Sequence, residues 1–474
     1  MKNGAKKAAV AVCMALGWIL AAVFALSAWL AFSNNATLKD WLEKAENAQY
    51  DSETYDFYIT LGTMPTLYAT LNAYTNQNPN TYMWFLRGNT ISYEYSAEYI
   101  HYFESQSKSN ANSEIDYQEI RDKVRDIRLS NPAAKFRLFC DDLRVRFILD
   151  IFVAAGVDFE DLQVTLLSDG TGTYSLYQEI TEQSYLEQAD MWNTIEQAYE
   201  ENRDDDDYCY FGDKNGQALD LQEYAFYIST FSNVSYWMQH PDYLQNDLSE
   251  TLNAQRYNMN IVKKDPKAMY DGLDAQTRAA YQKVVLANAL VDSDTLETLE
   301  DAVAYFDSQL SDRDKPVVLI LGTSYDGLEH NQTFIDQTIA YYTPTRSQED
   351  QTKVLFKGKE YTVASDADRV VVDGNEYKIG EISVYLFFKG HPSYPADQEL
   401  QAYFAEENIV VLPHRTPVEV LFWMYDVQVG GYESTSFLSC TQGQTEFFFG
   451  EPTNAALVAM RELGFFDGVT VFEE

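Results

Sequence analysis

The residue with the clearest capacity for proton chemistry is His391, which follows an apolar stretch and a glycine in Phe387-Phe388-Lys389-Gly390-His391-Pro392. A histidine side chain titrates near neutrality and can both donate and accept a proton there. The chain has only 5 histidines, so His391 is a candidate general acid or base. The alternative is a structural histidine that fixes the loop after a strand by hydrogen bonding.

A second candidate, Asp169, follows the apolar run Leu162–Leu167 in Ser168-Asp169-Gly170-Thr171. In an open parallel sheet, ligands bind at the carboxyl ends of the strands, so an acid at this point would face a ligand. A turn aspartate is the alternative. Asp169 and His391 on opposite sides of a cleft would supply a base and an acid.

Two later segments could bind an anionic or hydroxylated ligand. Glu419 lies in Thr416-Pro417-Val418-Glu419 before an apolar helical run, where the Thr-to-Glu spacing is also that of a helix capping box. The segment Gly430-Gly431-Tyr432-Glu433-Ser434-Thr435-Ser436 combines glycines with hydroxyls. Such a loop can hydrogen-bond a phosphate, although most loops of this composition bind nothing.

The elements around these residues alternate between strand-like and helical patterns. Strands are expected at residues 55–61, 135–140 and 162–167, with helical patterns between them. A second region with the same alternation begins near residue 232 and includes strands at 316–321 and 382–388. This alternation predicts the α/β class, with two Rossmann-type halves that face each other across a cleft.

The predicted boundaries follow from this pattern. The first half covers residues 55–231, the second covers 232–440, and a closing segment, 441–474, returns to the first half through a helix with Thr453 as its N-cap. Within the second half, residues 351–380 read as two inserted hairpins that turn at Lys357-Gly358-Lys359 and Asp373-Gly374-Asn375. We expect no catalytic role for the hairpins.

Composition excludes several classes of function. With 34 basic and 73 acidic residues the formal charge is −39, which disfavours a nucleic-acid partner. The four cysteines, Cys13, Cys140, Cys209 and Cys440, form no CxxC pair, so neither a zinc site nor a disulfide framework is indicated. The acidic run 204–207 is expected to be a solvated loop.

The N-terminus predicts a membrane anchor. Lys2, Lys6 and Lys7 precede residues 8–32, which carry no charge and are long enough to span a bilayer as a helix. We expect residues 1–32 to be an uncleaved signal anchor and residues 33–54 a stalk; a cleaved signal is the alternative. The flanking charges place the body of the protein outside the cytoplasm. A body on the cytoplasmic face is the alternative topology.

In their order along the chain, these segments resemble the bacterial sialyltransferases of glycosyltransferase family 80, which have the GT-B fold and use CMP-sialic acid. The family's aspartate-aspartate-glycine motif resembles Ser168-Asp169-Gly170. Its lysine-glycine-histidine-proline motif is matched in full by Lys389-Gly390-His391-Pro392.

Three further segments extend the resemblance over roughly residues 55–472. The family's phenylalanine-glutamate-valine-leucine segment resembles Val418-Glu419-Val420-Leu421, and its glycine pair followed by paired serines resembles Gly430-Gly431 with Ser434-Thr435. The stretch 460–464 is similar to the family's last helix.

The resemblance implies a role for each matched residue. Asp169 would be the general base on the acceptor hydroxyl, and His391 the general acid on the departing CMP phosphate. Glu419 would hold the donor's ribose hydroxyls. The remaining implied contacts are to the donor for Lys389, Gly390, Pro392, Ser434 and Thr435, and to the acceptor for Tyr325, which stands where the family has a tryptophan.

The sequence also departs from the family. Ser168 replaces the first acid of the aspartate motif, so we expect a missing charge beside the base. A histidine that the family places upstream of the aspartate has no counterpart, and Cys140 or Asp141 stands there. These changes leave the donor chemistry intact and put the acceptor in question.

The expected function is therefore an inverting, metal-independent sialyltransferase with CMP-sialic acid as donor substrate, a glycan such as a galactoside as acceptor, and no cofactor. A metal-dependent transferase would instead use Asp292-Ser293-Asp294. The sequence is also compatible with a membrane-anchored glycan-binding or catalytically impaired GT-B protein, and with a transferase that uses another CMP-activated keto-sugar.

Overall fold

The computed structural model describes residues 53–85, 91, 96–103, 117–202, 223–244, 258–291, 296–323, 327–392 and 394–473. Glu53–Ser130 and Lys135–Glu474 form one compact unit. The predicted anchor, nearly all of the stalk, the acidic run 204–207 and Asp292-Ser293-Asp294 lie outside the described residues. Among the helices that are described, none combines the length and the apolar character needed to cross a bilayer.

A parallel sheet of seven strands forms the first half, in the order β3-β2-β1-β4-β5-β6-β7. The strands are β1 (Thr54–Thr60), β2 (Thr81–Phe85), β3 (Ile100–Tyr102), β4 (Lys135–Asp141), β5 (Leu162–Leu167), β6 (Val234–Met238) and β7 (Ile261–Lys263). Strand order reverses between β1 and β4, and a reversal of this kind marks the ligand crevice of an open sheet.

The helices of this half follow the predicted alternation. They are α1 (Thr63–Asn76), α2 (Gln118–Ser130), α3 (Val145–Ala154), α4 (Thr171–Glu182), α5 (Tyr185–Asn202) and α6 (Tyr224–Ile228), with 3₁₀ turns at Asp142–Arg144 and Phe159–Asp161. The boundary predicted at residue 231 is placed too early, because β6 and β7 pair onto the first sheet. Sequence periodicity identifies a strand but not the sheet that the strand joins.

The second half contains a parallel sheet of six strands, in the order β15-β14-β8-β16-β17-β18. Its strands are β8 (Val317–Leu321), β14 (Tyr385–Lys389), β15 (Val410–Val411), β16 (Val427–Gly431), β17 (Thr445–Phe449) and β18 (Thr470–Phe472). Every residue of β8 is buried, as expected for a central parallel strand covered on both faces. Strand order reverses here between β8 and β16.

Helices and short turns complete this half. The helices are α7 (Pro266–Asp271), α8 (Ala275–Leu286), α9 (Leu299–Leu310), α10 (Leu328–Tyr342), α11 (Gln398–Glu406), α12 (Val418–Met424) and α13 (Ala455–Glu462), and the 3₁₀ turns are Ala287–Val291 and Thr435–Ser439. A further 3₁₀ turn, Pro241–Leu244, lies between β6 and β7 of the first half. One hydrophobic cluster runs through both halves, from Leu67 of α1 to Phe422 of α12. Helix α7 packs against both of these helices.

The two inserted hairpins are confirmed. A short strand β9 (Thr345–Arg346) joins the hairpin of β10 (Lys353–Phe356) and β11 (Lys359–Thr362), and β12 (Arg369–Val372) pairs with β13 (Asn375–Lys378). Each turn has two consecutive residues at positive φ, as in the tight turns that match strand twist.

The closing segment contributes β17 and β18 to the second sheet, while helix α13 packs against α4 of the first half. Its N-cap is Asn454, whose side chain accepts from the N–H groups of Ala456 and Leu457. The N-cap predicted at Thr453 is therefore wrong by one residue.

Candidate functional site

The turn after β5 holds Asp169 at the carboxyl edge of the first sheet. Gly170 reverses the chain at φ +60°, a conformation that glycine adopts without a steric penalty, and α4 starts at Thr171. The backbone N–H of Asp169 donates to Thr173 Oγ1 at 2.9 Å and to Asp142 Oδ1 at 3.3 Å. The turn is thus fixed by its own helix and by an acid from the neighbouring strand end.

Asp142 is a buried anchor for this turn. Its carboxylate accepts from the N–H of Leu143 at 2.7 Å, the hydroxyl of Tyr236 at 2.5 Å and the hydroxyl of Thr173. Burial raises the pKa of Asp142 above its ordinary value, although these donors oppose the shift. With donors on both oxygens, Asp142 is built to hold the Asp169 backbone in place.

Asp141 lies at the reversal of strand order in the first sheet. It is the last residue of β4 and 1% exposed, and its Oδ2 accepts from the N–H groups of Leu61 at 2.8 Å and Gly62 at 2.9 Å, just after β1. Burial, followed by the charge of Asp169, raises the pKa of Asp141 well above its ordinary value. Two acids from neighbouring strands therefore lie close enough at this edge for the charge of one to raise the pKa of the other.

Both carboxyl groups contact Gly62. A Cβ built on Gly62 would lie 1.9 Å from Asp169 Oδ1 and 2.6 Å from its Cγ. The Asp169 carboxyl therefore packs on the Cα of the same residue whose N–H binds Asp141. A side chain at this position would displace the candidate base.

Replacement of the family's first acid by Ser168 does not leave Asp169 without an acidic neighbour, contrary to the expectation from the sequence. Ser168 is buried, and its hydroxyl donates to Thr173 Oγ1 at 3.1 Å. The neighbouring acids are instead Asp141 and Asp142, from the end of β4. Cys140, the other residue considered upstream, is a buried free thiol whose pKa is raised by burial.

His391 lies just past the carboxyl end of β14 in the second sheet. Its side chain is exposed, its carbonyl accepts from the N–H of Tyr394 at 3.0 Å, and the two rings are 5.2 Å apart. Partial burial and the nearby charge of Lys389 hold the pKa of His391 below its usual value. An added negative charge beside the ring would raise it again.

Lys389 stabilises this loop through hydrogen bonds to backbone carbonyls. It is 4% exposed, and its Nζ donates to the carbonyls of Gly390 at 2.8 Å and His414 at 2.6 Å. These bonds hold the backbone next to His391 and the backbone of His414 together. Gly390 is buried and Pro392 exposed, on either side of His391.

Glu419 is not a helix cap. The N-cap of α12 is Pro417, without a side-chain capping bond, and the buried Thr416 Oγ1 has no hydrogen-bond partner. Glu419 is 6% exposed, and its Oε1 accepts from Ser436 Oγ at 2.7 Å. The capping alternative is therefore excluded, and a buried acid is fixed beside the 3₁₀ turn Thr435–Ser439.

The glycine pair Gly430-Gly431 and the hydroxyl residues Ser434 and Thr435 have different structural roles. Gly430 and Gly431 end β16, where a Cβ on Gly431 would lie 2.4 Å from the carbonyl oxygen of Leu321, so close packing with β8 requires glycine. Ser434 is half-buried and caps the 3₁₀ turn by accepting from the N–H of Ser436, and Thr435 is exposed. Ser434 and Thr435 are thus the hydroxyls that a ligand can reach.

The carboxyl edges of the two sheets meet at that 3₁₀ turn. Ser439 Oγ lies 3.0 Å from the sulfur of Met64 in α1, and Leu438 O lies 2.8 Å from Nε2 of His240, just after β6. Because a carbonyl only accepts, His240 carries its proton on Nε2. Burial lowers the pKa of His240 to about 4, so the ring is neutral.

Two further predictions concern the acceptor contact of Tyr325 and the alternative of a metal-dependent reaction. Tyr325 lies outside the described residues. Within the described part of the chain, no group of three or more His, Cys, Asp or Glu side chains is arranged to hold a metal ion.

Sequence reasoning missed Asp141 and Ser436 as components of the site. Asp141 carries the same signal as Asp169, an acid at the carboxyl end of a predicted strand. The sequence does not show that β4 pairs with β1 and so brings Asp141 next to Gly62.

Comparison with known sequences gives no match among protein-family models or curated proteins. Solved structures do resemble the chain. An α/β-galactoside α-2,3-sialyltransferase from the luminous marine bacterium Photobacterium phosphoreum has a TM-score of 0.59 at 16% identity, over 89% of this chain and 99% of that chain.

Two further structures give the same result. The sialyltransferase of Photobacterium damselae, solved as its GT-B domain, has a TM-score of 0.58 at 14% identity, over 89% of this chain and 100% of that chain. A Photobacterium 2,6-sialyltransferase in complex with CMP and lactose has a TM-score of 0.55 at 13% identity, over 89% and 78%. The chain therefore has the GT-B fold, as the resemblance to sialyltransferase motifs predicted.

Proposed function

We propose that this GT-B protein transfers sialic acid from CMP-sialic acid to a hydroxyl of a terminal sugar, with inversion and without a metal. The observation that carries the proposal is the placement of an acid and a histidine, Asp169 and His391, at the carboxyl ends of strands in two sheets whose edges meet at Thr435–Ser439. The fold shared with sialyltransferases, one of them solved with CMP and lactose, supports this choice.

In this mechanism Asp169 accepts the proton of the acceptor hydroxyl while the hydroxyl oxygen bonds to the anomeric carbon of sialic acid. The bond from that carbon to the CMP phosphate breaks, and His391 gives its proton to the phosphate. An oxocarbenium-like transition state with a departing phosphate requires a base on one face and an acid on the other. Each would contribute about 10²–10⁴-fold.

The donor is proposed to lie along the second sheet. Glu419, fixed by Ser436, would accept from the ribose hydroxyls, and Ser434 and Thr435 would donate to the phosphate. The net charge of −39 offers no long-range attraction for an anionic donor. Binding must therefore come from local donors, with His391 as the group that neutralises the phosphate and Lys389 holding its loop.

The acceptor is proposed to be a galactoside, with Tyr325 among its contacts. Membrane attachment is also a proposal: residues 1–32 anchor the protein and the charge bias places its body outside the cytoplasm. Cleavage of the loop near Asp204 by protease added to intact cells would test this topology. Protection of that loop in intact cells would contradict it.

The full chain, incubated with CMP-sialic acid and lactose, tests the reaction through release of CMP and formation of sialyl-lactose by mass spectrometry. Asp169→Asn and His391→Ala should each lower kcat/KM by about 10²–10⁴-fold. No turnover by the natural protein, or full activity in both variants, would exclude catalysis of this kind. Binding of the glycan without CMP release would indicate a glycan-binding protein instead.

A further inference from the structure

The surroundings of Asp141 and Asp142 differ although the two acids are adjacent. Asp142 accepts from donors on both of its oxygens. Asp141 accepts only on Oδ2, from Leu61 and Gly62, and its Oδ1 is buried with no hydrogen-bond partner. A buried carboxylate oxygen without a donor is costly, whereas a protonated one can itself donate.

Opposing effects act on the charge of Asp141. Its two backbone donors, at the N-terminus of the 14-residue helix α1, favour the carboxylate. Full burial and the charge of Asp169 favour the neutral acid, and complete burial alone can raise a carboxyl pKa by about 3–5 units. Asp169 and Asp142, the charged groups that bear on Asp141, are both acids, and both raise its pKa. The neutral form is therefore favoured.

We propose that Asp141 is a positioning residue for the base, holding one proton on Oδ1 while Asp169 is ionised, so that the pair carries a single negative charge when the acceptor binds. Two carboxyl groups that both contact Gly62 cannot both be charged without strong repulsion. A proton on Oδ1 removes the cost of burying a charge on an oxygen that accepts no hydrogen bond. Asp169 is the more exposed of the two and is the acid that accepts the acceptor's proton.

The catalytic consequence rests on the proposed function, because it concerns the base of that reaction. If Asp141 is neutral, the pair repels the negatively charged donor less. A doubly ionised pair would repel the carboxylate and the phosphate of CMP-sialic acid more strongly. Asp141 also fixes the start of α1 against β4 through Leu61 and Gly62. The first effect acts on the donor through charge, and the second acts on Asp169 through the position of Gly62.

Infrared spectroscopy of the full-length protein at pH 7 tests the protonation state without any turnover. The C=O stretch of a protonated carboxylic acid should be present in the natural protein and absent in Asp141→Asn. The matched control is Asp142→Asn, which should keep the band, since Asp142 is the acid whose two oxygens both accept. Retention of the band in Asp141→Asn, or its loss only in Asp142→Asn, would overturn the proposal.

The pH dependence of kcat/KM gives a second reading. Asn at 141 has the shape of the neutral acid, because its carbonyl can accept from Leu61 and Gly62 and its NH₂ replaces the O–H. The acid limb of Asp141→Asn should therefore coincide with that of the natural protein. A downward shift of about one unit or more would show that a neighbouring negative charge had been removed, and would overturn the proposal.

The two measurements separate the two proposals. If the protein has no sialyltransferase activity, the infrared band still reports on Asp141. If the band is absent from the natural protein while sialyl-lactose forms normally, the proton-sharing pair is excluded and the proposed reaction stands.

Discussion

Gly62 lies where two acids meet the start of helix α1, and its lack of a side chain has a measurable consequence. Its backbone, at φ −82° and ψ 161°, is one that alanine adopts without strain. The closest obstacle to the substitution is the Asp169 carboxyl, whose Oδ1 lies 1.9 Å from the site of a Cβ. Catalytic geometry and fold stability are therefore separable here.

We expect Gly62→Ala to lower kcat/KM by about 10²-fold, the usual cost of displacing a catalytic group by about 1 Å. The free energy of unfolding should stay within about 1 kcal/mol of the natural value, since alanine also restricts the unfolded chain. Steady-state kinetics and thermal unfolding measure the two effects. In an Asp169→Asn background the same substitution should cost nothing further, and an additive loss there would contradict displacement of Asp169 as the cause.

His391 predicts a difference between two pH profiles. Its pKa lies below the usual value in the free protein, so kcat/KM for the donor should decline with rising pH from a point below about 6.5. Bound donor phosphate favours the imidazolium, so kcat should decline at a higher pH. Both limbs should vanish in His391→Asn, and their persistence in that variant would assign them to another group.

At the scale of elements, a side-chain hydrogen bond joins helix α12 to the 3₁₀ turn Thr435–Ser439. Ser436, and not either of the two hydroxyls before it, bonds to the buried Glu419. The three consecutive hydroxyl residues are therefore not equivalent. One orients an acid, one caps the turn and one is exposed.

We expect Ser436→Ala to weaken CMP binding by about 10–100-fold, because a hydrogen bond to a charged group contributes about 1.5–3 kcal/mol. Calorimetric titration with CMP measures the affinity. The matched variant Thr435→Val removes the proposed phosphate contact and leaves the bond between Ser436 and Glu419 in place, so it should weaken CMP binding while leaving the affinity for cytidine unchanged. Unchanged CMP binding in Ser436→Ala would exclude Glu419 as an oriented ribose ligand.

For the whole molecule, the contact from His240 to Leu438 links the two sheets through a histidine that is neutral when folded. Its folded pKa is about 4, against about 6.5 in the unfolded chain. A proton is therefore taken up on unfolding, and the stability that His240 contributes is lost as the pH falls from about 6.5 towards 4. Over that range the loss amounts to roughly 3 kcal/mol.

We expect Tm of the natural protein to fall more steeply between pH 6.5 and 4 than Tm of His240→Gln, which cannot take up the proton. A constant offset from the lost ring contact with Phe465 is expected at every pH. Differential scanning calorimetry across this range separates the slope from the offset. Parallel curves would show that His240 does not titrate on unfolding.

Much of this architecture can be predicted because apolar period and turn residues act locally. The strand Leu162–Leu167 has the bounds that its apolar run predicts, and both hairpins turn at the predicted glycines. Strand pairing across the chain is not encoded locally, so the sheet membership of Val234–Met238 and the meeting of Asp141 with Gly62 could not be read. The register of the 3₁₀ turn, which selects Ser436, depends likewise on tertiary packing.

The contact between Met64 and Ser439 bears on the order in which substrates combine. Met64 lies two residues after Gly62, against which the Asp169 carboxyl packs, and Ser439 ends the turn that begins beside Ser434. A donor that orders this turn would therefore also settle the start of α1, and with it the base, before the sugar acceptor arrives. Initial-rate and product-inhibition kinetics should then follow a compulsory sequence, with donor first and CMP released last.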